Sequence, residues 1–165
     1  MKRAIVTAAL ILATAVTAAA QVTVFVVRHA ERADSGAAGG MMAKDPDLSD
    51  AGRARAAALA TVLKDAGITA IYTTELKRTQ QTAAPLAKVL GVPVTTISAN
   101  DTRTLVGKIK AATGNVLVVG HSNTVPDVIK ALGVSTPVTL ADADYDNLFV
   151  VTLGDKPALI RLHYR

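Results

Sequence analysis

Two histidines, His29 and His121, each follow directly after an uninterrupted apolar run that is typical of a buried strand. Arg28 and Arg32 flank the first histidine, and Arg78 lies near the start of a predicted helix. Guanidinium groups bind phosphate through forked, charge-assisted hydrogen bonds, and a neutral imidazole can attack phosphorus. If the fold brings these side chains together, the sequence predicts a positively charged pocket for a phosphate group.

The elements that would position these residues alternate between strand and helix. Apolar runs and amphipathic periods predict strands at 22–27, 68–73, 92–97, 116–119, 148–153 and 158–164, and helices at 49–66, 75–90, 102–112 and 124–132. This order predicts an α/β fold, a three-layer sandwich with a mostly parallel sheet, helices on both faces and a closing antiparallel hairpin. Ligands of such sheets bind beyond the carboxyl ends of the strands, where both histidines are expected.

Local signals predict where the helices begin and end. Ser49 and Asn123 are expected N-caps, and Gly67 and Gly91 are expected to terminate the first two helices. Arg78 falls in the first turn of its helix, where the helix dipole disfavours a cation. A bound anion would remove that conflict.

Residues 1–20 begin with Lys2 and Arg3, continue with an apolar run and end in three alanines, a pattern typical of a secretory signal peptide. We therefore expect residues 21–165 to form one domain that is periplasmic or secreted, with no stable membrane anchor after processing. Without that segment the formal charge falls from +5 to +3, and the chain has no tryptophan, so a nucleic-acid partner is not expected. The chain has no cysteine, which excludes disulfides and thiolate chemistry. The oligomeric state is not determined by these patterns.

The motifs resemble those of the histidine phosphatase superfamily, also called the phosphoglycerate mutase-like superfamily. The similar segments, which together span nearly the whole predicted domain, are residues 27–32 (VRHAER), 48–52 (LSDAG), 74–82 around Arg78, and 119–123 (VGHSN). The residues that the resemblance assigns to the catalytic core are Arg28, His29, Arg78 and His121. Arg32 matches an additional arginine of the family's acid-phosphatase branch.

The resemblance implies an exported phosphomonoesterase that acts on a small phosphorylated substrate through a phosphohistidine intermediate on His29. Such a mechanism holds the other ring nitrogen of the nucleophile by a hydrogen bond, commonly to a backbone carbonyl. The arginines and a protonated His121 would stabilise the charge of the transferring phosphoryl group. No cofactor and no metal ion is required, because the arginines take the place of the cation.

Two positions depart from the family's pattern. Ala30 stands where a glycine is usual, which is tolerated if the backbone there keeps a negative φ. Asn123 stands near the position of the acidic proton donor of the acid-phosphatase branch, so the donor has to come from elsewhere. The candidate donors are Glu31, Asp34, Asp45, Asp47 and Glu75. We favour Glu31 because it lies in the nucleophile's turn, and its alternative role is that of a salt-bridged structural carboxylate.

Three other functions stay open from the residues alone. A phosphohistidine protein phosphatase would use the same core, although export argues against it. A catalytically impaired protein that binds phosphate esters or other anions would need no proton donor. A metal protein built on His29, Glu31 and His121 is a weaker hypothesis, because the spacing of the three histidines is not that of close metal ligands. The physiological substrate is not encoded in these motifs.

Overall fold

The computed structural model describes residues 21–33 and 45–165. The strands and helices of this part are β1 (Thr23–Arg28), α1 (Asp50–Leu63), β2 (Ile68–Thr73), α2 (Lys77–Leu90), β3 (Val94–Thr96), α3 (Thr102–Lys110), β4 (Asn115–Gly120), α4 (Thr124–Ala131), β5 (Asn147–Thr152) and β6 (Ala158–His163). All ten predicted elements are confirmed, with ends that shift by up to three residues. The predicted signal peptide at 1–20, most of the predicted loop at 35–47, and Asp34 lie outside the described residues.

The strands form one sheet in the order β3-β2-β4-β1-β5-β6. The pairs β2–β3, β2–β4 and β1–β4 are parallel, whereas β1–β5 and the closing hairpin β5–β6 are antiparallel. Arg28 at the end of β1 is paired with Gly120 at the end of β4, and Thr73 at the end of β2 is paired with Val119. The register therefore brings the carboxyl ends of three strands to one edge of the sheet, as the sequence predicted.

Two apolar layers cover the sheet, because successive strand residues face opposite sides. One face packs on α3 and α4 through Val24, Val26, Val116, Val118, Ile109, Val125, Val128 and Ile129. The other face packs on α1 and α2 through Val27, Leu117, Val119, Ile71, Leu59, Leu63, Ala83 and Leu86. The predicted three-layer sandwich is confirmed. In the described part of the chain, no helix is both long enough and apolar enough to cross a bilayer.

Most of the predicted helix ends are confirmed by their contacts. The Ser49 hydroxyl caps α1 by accepting a hydrogen bond from the Gly52 N–H at 3.1 Å, and Gly91 ends α2 with a φ of 66°. Asn123 is the N-cap residue of α4, as predicted, but its side chain makes no capping hydrogen bond. The turn before α4 is held instead by the Thr124 hydroxyl, which accepts a hydrogen bond from the His121 N–H at 2.8 Å.

Candidate active site

The pairing of β1 with β4 brings the two histidines together. Each lies one residue beyond a strand end, and the His29 N–H donates a hydrogen bond to the Gly120 carbonyl at 2.9 Å. The ring centroids of His29 and His121 are 5.3 Å apart in an edge-to-face arrangement. Both side chains are buried, with 4% and 7% of their surface exposed. Residues that are far apart in the sequence thus share one end of the sheet.

A cavity of about 560 Å³ opens over the two imidazoles at this edge. Its lining residues are Arg28, His29, Arg32, Leu76, Arg78, Ala99, Asn100, His121, Ser122, Asn123, Thr124, Asp142 and Tyr145. The three predicted phosphate-binding arginines and both predicted histidines therefore line one pocket. Three guanidinium groups around this cavity provide the charge and the hydrogen-bond donors that a phosphate group needs.

His29 is held in the orientation that a nucleophile needs. Its Nδ1 lies 2.7 Å from the Ala30 carbonyl oxygen, and Nδ1–H therefore donates to that oxygen and leaves the lone pair on Nε2. Burial is the main cause that lowers the pKa of His29 to about 3; the hydrogen bond to the Ala30 carbonyl opposes it, and the charges of His121, Arg78 and Arg28 add to the lowering. The imidazole is consequently neutral and nucleophilic at neutral pH.

Ala30 fits where the family has glycine. Every residue with positive φ in the described part of the chain is a glycine, so Ala30 has the negative φ that the sequence analysis required. The Ala30 side chain is fully buried beside Leu48 and Ala56, and its N–H donates to the Thr82 hydroxyl at 2.9 Å. The turn that carries the nucleophile is therefore fastened to α2.

His121 is held from the opposite side by two buried threonines. Its Nε2 lies 2.9 Å from the Thr74 hydroxyl, which lies 3.0 Å from the Thr79 hydroxyl. The Thr79 hydroxyl donates to the Leu76 carbonyl at 2.8 Å. The other ring nitrogen of His121, Nδ1, is buried and has no hydrogen-bond partner among the described residues. That nitrogen is left for a bound ligand.

The charge of His121 differs from the expectation. Its pKa is lowered to about 4, mainly by burial and then by the charge of Arg78, with a smaller lowering by Arg28, while Glu75 acts in the opposite direction. The sequence analysis expected a protonated ring, whereas His121 is neutral near pH 7 in this structure. Desolvation together with the neighbouring cations explains the difference.

Arg28 is anchored by a segment that the sequence analysis did not assign to the site. Its Nη1 donates to the carbonyls of Ala141 and Asp142 at 2.9 and 3.0 Å. The guanidinium carbon lies 4.2 Å from the centroid of the Tyr145 ring, which in turn lies 6.0 Å from the ring of His29. The buried Nε–H of Arg28 has no partner among the described residues. The guanidinium group of Arg28 is thus fixed through Nη1, and its Nε–H is left as a hydrogen-bond donor for an anion.

The other two arginines approach the pocket from different elements. Arg78, in the first turn of α2, lies 3.8 Å from the Asp45 carboxylate, which also accepts a hydrogen bond from the Lys77 N–H at 3.1 Å. Asp45 therefore supplies part of the negative charge that this helix start was predicted to need. Arg32 pairs with Leu48 in an isolated β-bridge just after the nucleophile's turn.

Glu31, the favoured proton donor, is turned into an ion pair with Arg55. The Arg55 Nε and Nη2 donate to the Glu31 carboxylate at 2.7–3.0 Å, and Glu31 does not line the pocket. Burial raises the pKa of Glu31, but the hydrogen bonds and charge of Arg55 outweigh this and hold the pKa below 4.5. The structure thus places Glu31 in an ion pair outside the pocket, the arrangement of its alternative role as a salt-bridged structural carboxylate. The described residues contain no group of three or more His, Asp or Glu side chains arranged to hold a metal ion.

The other candidate donors among the described residues, Asp45, Asp47 and Glu75, are also engaged elsewhere. Asp47 accepts a hydrogen bond from the Gln81 side chain at 2.8 Å, and Glu75 accepts one from the Ala99 N–H at 3.0 Å. Neither lines the pocket, and neither does Asp45. Among the described residues, Asp142 is the acidic residue that lines the pocket.

The sequence analysis missed Asp142 and Tyr145, although a signal for them exists. Because β5 runs antiparallel to β1, the residues before β5 lie at the edge where β1 ends. The polar residues directly before β5 are therefore expected at the site, because β5 is an apolar strand that pairs antiparallel with β1, the strand that precedes the nucleophile. The strand order was needed to apply this rule.

Comparison with known proteins agrees with the family that the motifs resemble. The family model of the histidine phosphatase superfamily, branch 1, matches residues 24–99. A solved structure assigned as the phosphohistidine phosphatase SixA of Agrobacterium tumefaciens is 23% identical, with coverage of 85% of this chain and 97% of that one and a TM-score of 0.63. The mycobacterial glucosyl-3-phosphoglycerate phosphatase solved with VO3 is 16% identical, with coverage of 87% and 99% and a TM-score of 0.69. At these identities the solved structures show a shared fold. No curated protein matches the chain.

The matched segment, 24–99, extends from β1 beyond β3 and contains the nucleophile's turn and all three pocket arginines. The likeness in fold reaches beyond it to β4 and His121, which complete the pocket. The family model thus matches somewhat less than half of the chain, and the solved structures share its fold, so the chain is similar to proteins of the histidine phosphatase superfamily.

Proposed function

We propose that the protein is an exported phosphomonoesterase that forms a covalent phosphohistidine on His29. The observation that carries the proposal is the state of His29, whose Nδ1–H is bound to the Ala30 carbonyl at 2.7 Å. Its Nε2 is therefore neutral and available in a pocket lined by three arginines. A nucleophile with a fixed tautomer, surrounded by phosphate-binding groups, is suited to phosphoryl transfer.

In the proposed reaction, the Nε2 lone pair of His29 attacks phosphorus and the bond to the ester oxygen breaks. The leaving oxygen takes a proton and departs as an alcohol. Water then attacks the phosphohistidine, the P–N bond breaks, and phosphate leaves with His29 neutral again. Arg28, Arg32 and Arg78 stabilise the charge on the equatorial phosphoryl oxygens, a preorganised electrostatic effect that commonly contributes most to such catalysis.

We assign the proton donor for the leaving oxygen to Asp142 in place of Glu31. Its backbone carbonyl is bound to Arg28, which places the residue at the phosphate-binding arginine, and the residue lines the pocket. The two neighbouring acids are engaged elsewhere: Asp144 accepts from the Ala141 N–H at 2.8 Å, and Asp146 lies 3.1 Å from His163. Asp142 would protonate the leaving oxygen and then accept a proton from the attacking water.

The decisive experiment compares the His29→Ala variant with wild type on a panel of phosphomonoesters. The variant is expected to lose at least about 10³-fold in kcat/KM, because it lacks the nucleophile. His163→Gln is the control, since this exposed histidine lies outside the pocket. Wild-type protein quenched during turnover is expected to carry an acid-labile phosphate that the His29→Ala variant lacks. Full activity of His29→Ala would refute the proposal.

The same preparation separates the alternative functions. Calorimetric binding of phosphate without turnover of any substrate would indicate an anion-binding protein. Turnover of a phosphohistidine peptide alone would indicate a protein phosphatase. Loss of activity in a strong chelator would indicate a metal protein.

Export is part of the proposal and has its own test. The signal-like pattern at residues 1–20 supports removal of this segment after Ala20. Expression with the segment is expected to yield periplasmic or secreted protein whose N-terminal residue, by sequencing, is Gln21. Retention of Met1 on a cytosolic product would contradict the assignment.

A further inference from the structure

The hydrogen bonds that hold His121 have a fixed direction. A carbonyl oxygen only accepts, and the Thr79 hydroxyl lies 2.8 Å from the Leu76 carbonyl and 3.1 Å from the Thr74 carbonyl, so its one proton is donated to a carbonyl. The Thr74 hydroxyl therefore donates to Thr79 Oγ1 and can only accept from His121. Nε2 of His121 carries the proton, and in the neutral ring Nδ1 is a bare lone pair.

This tautomer conflicts with the binding of an anion. The buried Nδ1 of His121 has no partner among the described residues, and the ring lines the pocket. A phosphate oxygen placed against a bare lone pair is repelled, whereas the same oxygen placed against Nδ1–H gains a charge-assisted hydrogen bond. One proton has to be added between the ring and the ligand for the contact to be favourable.

The charged groups around His121 determine under which conditions its ring is protonated. The cations Arg78 and Arg28 oppose it, Glu75 favours it, and the ring of His29 lies 5.3 Å away and is itself neutral. A dianion bound among the arginines would offset their charge and favour a cationic ring. The proton is therefore expected to arrive together with the ligand.

We propose that Thr74 is a positioning residue that fixes the tautomer of His121 and thereby couples the binding of a phosphate-type dianion to the uptake of one proton at Nδ1. This inference rests on the proposed function only in that the pocket binds such a dianion. In this proposal the hydrogen bonds of Thr79 and Thr74 control which nitrogen of His121 carries the proton, which packing contacts alone would not do. The cationic ring expected from the sequence would then be a property of the ligand-bound state.

The test is calorimetric titration of the processed protein with sulfate at pH 8 in buffers of different ionisation enthalpy. Sulfate stays a dianion at this pH, so any proton taken up resides on the protein. Wild type is expected to take up about one proton per sulfate, and its affinity is expected to fall about tenfold for each unit of rising pH. Inorganic phosphate is titrated in parallel as the second probe.

Variants identify where the proton goes. In Thr74→Val, Nε2 loses its acceptor and the ring can place its single proton on Nδ1, so uptake is expected to fall towards zero while binding is retained. Thr74→Ser keeps the hydroxyl and is expected to restore uptake of about one proton. His121→Gln is expected to abolish the uptake, and His163→Gln, outside the pocket, is expected to leave it unchanged.

Each outcome decides between the two proposals. Binding of sulfate by wild type without proton uptake overturns the inference, as does equal uptake by wild type and Thr74→Val. If Thr74→Val does not fold, wild type and His121→Gln still give the deciding comparison. Binding of neither sulfate nor phosphate would refute the anion pocket and both proposals with it. Normal uptake in a protein whose His29→Ala variant keeps full activity would refute the phosphohistidine mechanism alone.

Discussion

Replacement of Glu31 by glutamine separates a structural ion pair from a catalytic acid. The Arg55 guanidinium donates to the Glu31 carboxylate from two nitrogens at 2.7–3.0 Å, and its Nη1 donates to the Tyr164 carbonyl at 3.2 Å. The two side chains are only 17% and 21% exposed, so the pair is largely shielded from water. Glu31→Gln keeps the shape of the side chain and removes its charge. The test therefore isolates the electrostatic contribution.

The expected cost is about 1–3 kcal/mol in the free energy of unfolding, because a largely buried guanidinium loses its counter-charge. For a domain of this size that corresponds to a fall in Tm of roughly 3–10 °C. Asp50→Asn is the matched control, since the Arg53–Asp50 pair is exposed and is expected to contribute at most about 0.5 kcal/mol. Differential scanning calorimetry at pH 7 measures both values.

The difference in stability between wild type and Glu31→Gln is expected to become smaller as the pH falls. Arg55 holds the pKa of Glu31 below its ordinary value of 4.5, so the ionised carboxylate stabilises the folded protein above that pH. This stabilisation is lost as the pH falls through the lowered pKa. The gap in Tm between wild type and Glu31→Gln should therefore be full at pH 7 and shrink below about pH 4.5.

The kcat/KM of Glu31→Gln is the measurement that can refute a purely structural role of Glu31. A structural role predicts that Glu31→Gln keeps kcat/KM within about threefold of wild type at a temperature where both are folded. Removal of a general acid costs about 10²–10⁴-fold and costs most for poor leaving groups. A loss of that size with an unchanged Tm would show that Glu31 is the proton donor and that its assignment to the ion pair is wrong.

Three further predictions concern the pocket and its support. Asp142→Asn is expected to lower kcat/KM for alkyl phosphates by about 10²-fold or more. Aryl phosphates should be affected much less, because their leaving oxygen needs no proton. Equal losses on both substrate classes would contradict the role of Asp142 as proton donor. Gly52→Ala is expected to destabilise the protein by about 1–3 kcal/mol or more, because the new Cβ would collide with the Glu31 carbonyl, whereas the helical control Gly107→Ala meets no atom and should be neutral or stabilising. The His29 ring, followed by NMR, is expected to stay neutral from pH 8 down to about pH 4 and to titrate near its lowered pKa of about 3; a midpoint near 6.5 would show that it is not desolvated.

The elements that carry His29 and His121 could be predicted because the required signals are local. An apolar, β-branched run that ends abruptly in a polar residue predicts both a buried strand and the position of its carboxyl end. Parallel strands place those ends at one edge, so the convergence of His29, His121 and the arginines followed from the pattern. The Ser49 cap and the Gly91 terminator likewise depend on neighbouring residues and were confirmed.

The identity of the proton donor could not be obtained in this way. Glu31 is two residues from the nucleophile, but its partner Arg55 lies 24 residues further along the chain on α1. Asp142, the acidic residue that does line the pocket, accepts a hydrogen bond from Arg28 through its backbone carbonyl across a sequence separation of 114 residues. Proximity in sequence favoured a carboxylate that the fold places in an ion pair, because a side chain's partners are set by the packing of elements.

The sequence by itself determined the fold class, the edge of the sheet that carries the candidate site and the residue types that meet there. This was possible because the hydrophobic period and the strand ends depend on residues that are neighbours in the sequence. Only the tertiary structure decided which nitrogen of each histidine is available. The Ala30 carbonyl makes that choice for His29, and Thr74, on the neighbouring strand's loop, makes it for His121. Hydrogen-bond direction and desolvation arise from groups brought together by folding, and these two effects set the tautomer and charge on which the proposed reaction depends.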